Sequence, residues 1–303
     1  MKKIKITCIL LIFLLIILSG CQTAEQAVTF GTLEIYIFEI DKADAILIKT
    51  ENHAVLIDTG EREHGQMIVD ELINQGVAEI DALIVTHFHK DHVGGAATVI
   101  KSLPVKDIFV PNYGKESKHY ERFIEEIDAQ GLQKNSLTDS VSFSFDNSDF
   151  IIYPSKLPYY NYNNSEDDDG DSGDESIEIP NENNFSLVVS ISHGNHHFLF
   201  TGDAKSSRMK ELLSMDEIIG HQYDFLKVPH HGRHSGRSLE FIDTIKPSYA
   251  VITCSDDFPA DERVVEALKR VGAEVYFTSD GYVHCLSDGA SFIINVDRRE
   301  REN

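Results

Sequence analysis

Short apolar runs alternate with amphipathic stretches along most of the chain, and each run has the length of a strand. Residues 33–40, 45–49 and 54–57 follow one another closely and predict three successive strands. From 66 to 74 the apolar positions Met67, Ile68, Leu72 and Ile73 recur at helical spacing, and the helix they predict ends before Gly76. Residues 81–85 form a buried-strand run that leads straight into Thr86-His87-Phe88-His89-Lys90-Asp91-His92. Gly94 and Gly95 open a helix that carries on to Leu103. A strand at 107–110 stops at Pro111, and 121–129 has a helical period.

The same alternation resumes in the second half. Residues 186–191 and 197–200 predict a hairpin around Gly194-Asn195. Helices are predicted over 206–219, 239–245 and 262–271, with strands at 225–228, at 249–253 and on to 296. Two strand-rich halves with interleaved helices predict one layered α/β domain over residues 33–303. Between the halves, 159–184 differs in kind: Glu166, Asp167, Asp168, Asp169, Asp171, Asp174, Glu175 and Glu178 stand among Asn, Ser and Gly. Such a composition does not bury a core, so it reads as a flexible acidic surface insertion. A calcium loop does not fit, because Ser165 and Ser176 fall at the first and twelfth loop positions.

The first twenty residues belong to targeting. Lys2, Lys3 and Lys5 precede the apolar run 9–18, and Leu18-Ser19-Gly20-Cys21 closes it. That order is a secretory signal peptide, and its apolar run is short beside the about 20 residues of a membrane span. The closing tetrapeptide resembles the lipobox of bacterial lipoproteins. The resemblance implies that Cys21 becomes an acylated N-terminus, that 21–32 is a tether, and that the domain sits outside the cytoplasm on a membrane surface. Without the three leader lysines the net charge moves from −23 to −26. A surface so acidic disfavours long nucleic acid, although bound metal ions can make a cleft locally positive. Of the remaining cysteines, Cys254 and Cys285 read as small buried hydrophobes whose pairing the spacing leaves open.

Candidate chemistry concentrates in 87–92. In an extended segment His87 and His89 point to one side and can share an ion, while Asp91 and His92 follow where the turn to Gly94 brings them round to a second. Imidazole and carboxylate suit zinc-like ions, and the end of a strand that feeds a helix is where α/β proteins build sites. Asp203 ends an apolar strand at Gly202, where an acid is costly unless paired or metal-bound. His230 and His231 follow another buried run, and Asp58 ends a third, which suits a carboxylate beneath the site. His193, His196 and His197 belong to a hairpin tip: six extended residues from His197 to Asp203 span roughly 20 Å. His53, His64, His221 and His284 are isolated and read as structural or solvated.

Thr86 to His92 resembles the HxHxDH signature of the metallo-β-lactamase fold superfamily. Leu56-Ile57-Asp58-Thr59-Gly60, Phe200-Thr201-Gly202-Asp203 and Val228-Pro229-His230-His231-Gly232 agree in order. The set is most similar to the branch holding the hydrolase domain of ComEC/Rec2 competence proteins and the phosphorylcholine esterases of teichoic acid. That resemblance implies a four-layer αββα sandwich and two divalent ions, zinc or manganese. It implies a ligand set of His87, His89, Asp91, His92, Asp203 and His230, with Asp203 bridging.

Departures from the family pattern bear on the site. The histidine motif that many superfamily members carry between the signature and the bridging aspartate is missing, as in the competence-protein branch, and 254–262 carries no histidine where that branch has a late one. Arg233 stands where the branch has serine, and a guanidinium there can grip a phosphate or carboxylate. The expected activity is hydrolysis of a small or polymeric anionic substrate, a phosphodiester first of all. Two bound ions lower the pKa of water; Asp91 binds metal and accepts a hydrogen bond from the nucleophile, His231 or His234 protonates the leaving group, and Arg233 orients the anion. The alternatives are a metal- or partner-binding lipoprotein without turnover, and an ester or amide hydrolase.

Overall fold

The computed structural model describes residues 30–157 and 181–297. The expected signal peptide, Cys21 and most of the expected acidic insertion lie outside them. No helix among the described residues is long and apolar enough to cross a membrane.

The chain builds two sheets. Strands β1 (Leu33–Ile37), β2 (Ile46–Lys49), β3 (Ala54–Ile57), β4 (Ile80–Ile84), β5 (Val105–Pro111) and β6 (Lys134–Leu137) run side by side in chain order. The second sheet takes β7 (Val141–Phe145), β8 (Ser148–Tyr153), β9 (Val188–His193), β10 (His196–Phe200), β11 (Phe225–Lys227), β12 (Tyr249–Ile252) and β13 (Glu274–Phe277). The chain then returns to the first sheet with β14 (Tyr282–Ser287) beside β1 and β15 (Phe292–Asp297) at its edge.

Alternation along the strands decides the layers. Ile35 and Ile37 face the second sheet while Tyr36 faces helices; Phe198 and Phe200 face the first sheet while Leu199 faces helices. Period-2 side chains of this kind build a core between the sheets and one outside each. On the first sheet's outer face lie α1 (Gly65–Asn74), α2 (Lys90–Val93), α3 (Ala96–Ser102) and α4 (Lys118–Ala129). The second sheet is covered by α5 (Ser206–Leu212), α6 (Asp216–Ile219), α7 (Ser238–Ile245) and α8 (Glu262–Arg270). The four-layer αββα arrangement is the one the family resemblance implies.

Differences in detail have local causes. The helix expected over 206–219 is two helices, separated by a turn at Leu213–Met215. Strands β6, β7 and β8 were not anticipated, although Val141, Phe143 and Phe145 alternate with serine in the manner of a half-buried strand. The acidic insertion was drawn to 184, but Asn183 and Asn184 are buried and belong to the folded body.

Connectivity gathers the candidate residues at one rim. β3 to β6 are mutually parallel, as are β10 to β13. Asp58, Thr86-His87, Asp203, Pro229-His230-His231 and Thr253 therefore follow the same, C-terminal ends of β3, β4, β10, β11 and β12. β1 is antiparallel to β2 and β2 to β3, so the loop after β1, with Lys42 and Asp44, arrives at that rim as well.

Candidate metal centre

Three buried imidazoles converge on the Asp203 carboxylate. Its Oδ2 lies 3.2 Å from His231 Nε2, 3.3 Å from His92 Nε2 and 3.9 Å from His87 Nε2. Asp91 Oδ2 stands 3.7 Å from the same His231 nitrogen. Among the described residues four ligand triplets result: His87, His92 and Asp203; Asp91, His92 and His231; Asp44, Asp203 and His231; and Asp44, Asp58 and His92. Every member is at least nine-tenths buried.

The backs of the rings settle which nitrogens face inward. Thr86 Oγ1 donates its single hydrogen to Asp58 Oδ2 at 2.7 Å, so at 3.1 Å it accepts from His87 Nδ1. Thr253 Oγ1 likewise donates to Asp44 Oδ1 at 2.7 Å and accepts from His231 Nδ1 at 2.9 Å. His92 Nδ1 donates to Asp58 Oδ2 at 2.7 Å. Each Nδ1 therefore carries the proton, and the Nε2 lone pairs of His87, His92 and His231 point into the cluster. Those three atoms and Asp203 Oδ1 are buried without a hydrogen-bond partner. Buried polar atoms are seldom left that way, and divalent cations held by these groups would satisfy them. The donor set, imidazole and carboxylate with rear partners that fix the rings, fits zinc-type ions.

Electrostatics agree. Burial opposes charge on Asp203, but His231 and His92 outweigh it and hold the carboxyl well below its usual range. Asp91 is brought down to about 2 by His92 and His231 against the same burial. Burial also opposes charge on His92, yet Asp203 and Asp58 push its pKa well up. Burial, reinforced by His92, pushes His87 well down.

Backbone strain aims the second motif. His230 and His231 both adopt left-handed conformations, φ 50° and 54°, ahead of Gly232, and such residues cost of order 1–3 kcal/mol each. The turn sends His231 into the cluster and His230 to its side, where Nε2 meets Asn183 Nδ2 at 3.3 Å. His230, expected as the ligand, is absent from the triplets, and His231, expected to move a proton, is in two of them. Burial depresses the His230 pKa to about 3 even though Asp203 opposes it, with Lys205 and Arg233 adding to the depression. Gly202, at φ 49°, lets the strand end close on the signature: a Cβ there would come within 3.0 Å of Thr86.

Other expected residues fall as follows. Asp58 sits beneath the site, accepting from Thr86 N at 2.7 Å as well as from His92. His89, also expected as a ligand, is in none of the triplets; its Nε2 faces Glu182 Oε2 at 3.0 Å. Arg233 is half-buried directly after the strained turn. His193 bonds Ser148 and His197 bonds Ser192 at the far ends of β9 and β10. Cys254 and Cys285 are both free and buried.

Several site residues were missed by sequence reasoning. Asp44 is buried and pairs with the equally buried Lys227 ammonium. Lys42 Nζ reaches Asp91 Oδ2 at 3.5 Å. A lysine inside the apolar run Phe225-Leu226-Lys227-Val228 was a usable signal, because buried lysines need a partner. Asp44, alone in a loop, offered none.

Residues 40–255 match the family model described as the metallo-beta-lactamase superfamily. The chain belongs to that superfamily. Among curated relatives, it is 23% identical to ComE operon protein 3 of Bacillus subtilis over 266 residues, covering 81% of this chain and 32% of that one. It is 23% identical to Recombination protein 2 of Haemophilus influenzae, covering 73% and 24%. It is 25% identical to Competence protein ComA of Neisseria gonorrhoeae, covering 75% and 28%. The chain thus spans a third or less of the length of these relatives. Among solved structures, it resembles a metal-dependent hydrolase of the beta-lactamase superfamily, with TM-score 0.54, 14% identity, and coverage of 88% of this chain and 100% of that one. The metallo-beta-lactamase fold protein YhfI of Bacillus subtilis gives TM-score 0.50 at 14% identity, covering 81% and 96%. At such identity these likenesses establish the fold.

Proposed function

We propose that this superfamily member is a metal-dependent hydrolase of phosphodiester bonds, held outside the cytoplasm by a lipid on Cys21. The observation that carries the hydrolase reading is the set of inward, unpartnered Nε2 atoms around Asp203. In this reading His87, His92, His231, Asp91 and Asp203 hold two divalent ions, zinc or manganese, with His89 beside His87 as a further ligand. His231 takes the ligand role that the family resemblance gave to His230. Divalent ions held there supply hydroxide at neutral pH by lowering the pKa of water, and they offset charge on a reacting oxygen.

The chain's own residues do the rest. Asp58, Thr86 and Thr253 hold the imidazoles in one tautomer, so no reorientation is needed at the moment of reaction. Lys42 sits on Asp91, and Lys205 and Arg233 lie close enough to His230 to depress its pKa. These three cations stand at the rim of a chain of net charge −23, and with bound divalent ions they would favour an anionic substrate. A neighbouring cleft of about 280 Å³, lined by Tyr113, Leu137, Lys156 and Phe185 among others, offers room for the part of a substrate beyond the reacting bond. Similarity to competence and recombination proteins, and to the phosphodiesterase-like branch, supports the choice of phosphodiester over ester or amide.

The test is hydrolysis of bis(p-nitrophenyl) phosphate by the purified chain, before and after chelation and after return of zinc or manganese. Turnover that vanishes with chelation and returns with metal supports the reading. Turnover indifferent to chelation removes it, and metal uptake without turnover on any phosphodiester favours a binding lipoprotein. The anchor is tested separately: Cys21→Ser should abolish incorporation of labelled palmitate and release the protein from the membrane fraction.

A further inference from the structure

Asn181 to Phe185 form a short turn where the chain re-enters the described body, and it is pinned residue by residue to the site's wall. Asn183 Nδ2 reaches His230 Nε2 at 3.3 Å, and Asn184 Oδ1 accepts from Arg208 N at 3.1 Å. Phe185 packs on Tyr113, whose hydroxyl accepts from Phe88 N at 3.2 Å, next to His89. Glu182 completes the series. Its Oε2 stands 3.0 Å from His89 Nε2 and accepts from Lys115 Nζ at 2.7 Å.

Glu182 does not behave as one more acid of the insertion. Its side chain is 19% exposed, that of Lys115 only 9%. The Lys115 ammonium, 2.7 Å away, pairs with it as a carboxylate. An ionised carboxylate only accepts hydrogen bonds, so the His89 nitrogen facing it is the one that carries the proton. Nε2–H is thereby committed, and the lone pair is left on Nδ1. The same device operates at His92, where Asp58 holds one nitrogen and frees the other.

We propose that Glu182, braced by Lys115, is the positioning carboxylate for His89, fixing that ring as a divalent-metal ligand through Nδ1. The proposal rests on the reading of the cluster as a metal centre. It gives the stretch between the signature and Asp203, which lacks the histidine motif of many relatives, a part in holding the ion nearest His87. It also couples the residues flanking the acidic insertion to that ion. Carboxylates that orient a ligating imidazole typically change metal affinity 10- to 100-fold when removed.

The experiment is zinc titration of the metal-free full chain in detergent, in competition with a chromophoric chelator, for the unaltered protein, Glu182→Ala and Glu182→Gln. The visible spectrum of each cobalt-loaded form is recorded alongside. Glu182→Ala should weaken one site 10- to 100-fold and alter the cobalt spectrum. Glu182→Gln, whose amide oxygen still accepts from Nε2–H, should recover part of both and serves if the alanine variant does not fold. Unchanged affinity and spectrum in both variants would overturn the proposal while leaving the metal centre standing. No uptake by the unaltered chain would overturn the metal reading and this proposal with it.

Discussion

Asp58 Oδ2 stands 2.7 Å behind His92 Nδ1, and the opposite nitrogen of that ring points at Asp203 Oδ2 from 3.3 Å. A residue at the end of β3 thus sets the tautomer of one on α2, which faces a carboxylate delivered by β10 of the other sheet. Asp58→Asn keeps the size and removes the charge that holds the Nδ1 proton. Zinc affinity should fall 10- to 100-fold with the fold unchanged by circular dichroism. Equal affinity would mean that His92 needs no rear partner.

Lys227 and Asp44 form a buried ion pair, both side chains 1% exposed or less. Removing one partner of such a pair leaves an uncompensated charge, at about 3–5 kcal/mol. Lys227→Met should lower the stability of the metal-free protein by that amount in urea unfolding. Adding Asp44→Asn should restore part of it, since the stranded charge is then gone. A loss under about 1 kcal/mol, typical of exposed pairs, would show that water reaches Asp44.

Arg233 follows the strained His230-His231-Gly232 turn at the rim of the site. A hydrogen bond to a charged group contributes about 1.5–3 kcal/mol. Arg233→Ala should therefore raise KM for an anionic substrate about ten- to a hundredfold and leave kcat nearly unchanged. Unaltered KM would place Arg233 outside substrate binding.

A pH dependence is expected away from the site. Burial acts to raise the Asp81 carboxyl, but Lys106, the Ala54 N–H and His53 together bring it below 3.8. A carboxyl lowered in the folded state contributes stability above its unfolded pKa and loses it as pH falls through the folded value. Asp81→Asn should thus destabilise the protein at pH 7, and the difference should close in acid, below the folded pKa. A difference that stays constant with pH would assign the effect to packing.

What could be read from the chain follows from where the information lies. His87, His89, Asp91 and His92 were legible because four ligand types fall within six positions directly after a buried strand. Asp58, Asp203 and the histidine pair were legible because each ends an apolar run. Which of His230 and His231 turns inward was not, because two left-handed residues decide it and neither is glycine. Asp44 joins the site through Thr253, 209 residues away, an encounter set by sheet pairing and invisible to local pattern. Glu182 was hidden by its neighbours: amid so many acids, composition pointed to solvent, and only the packing of Asn183 and Phe185 separates it from them.

The most direct test of the central claim, that the rim cluster is a metal centre, is the metal content of the purified chain by mass spectrometry of its elements, compared with Asp203→Ala. The account predicts about two zinc or manganese ions per chain, the number two adjoining ligand clusters sharing Asp203 can hold, and their loss in the variant. A chain that emerges metal-free and takes up none on dialysis against zinc and manganese, with its fold intact, would contradict it.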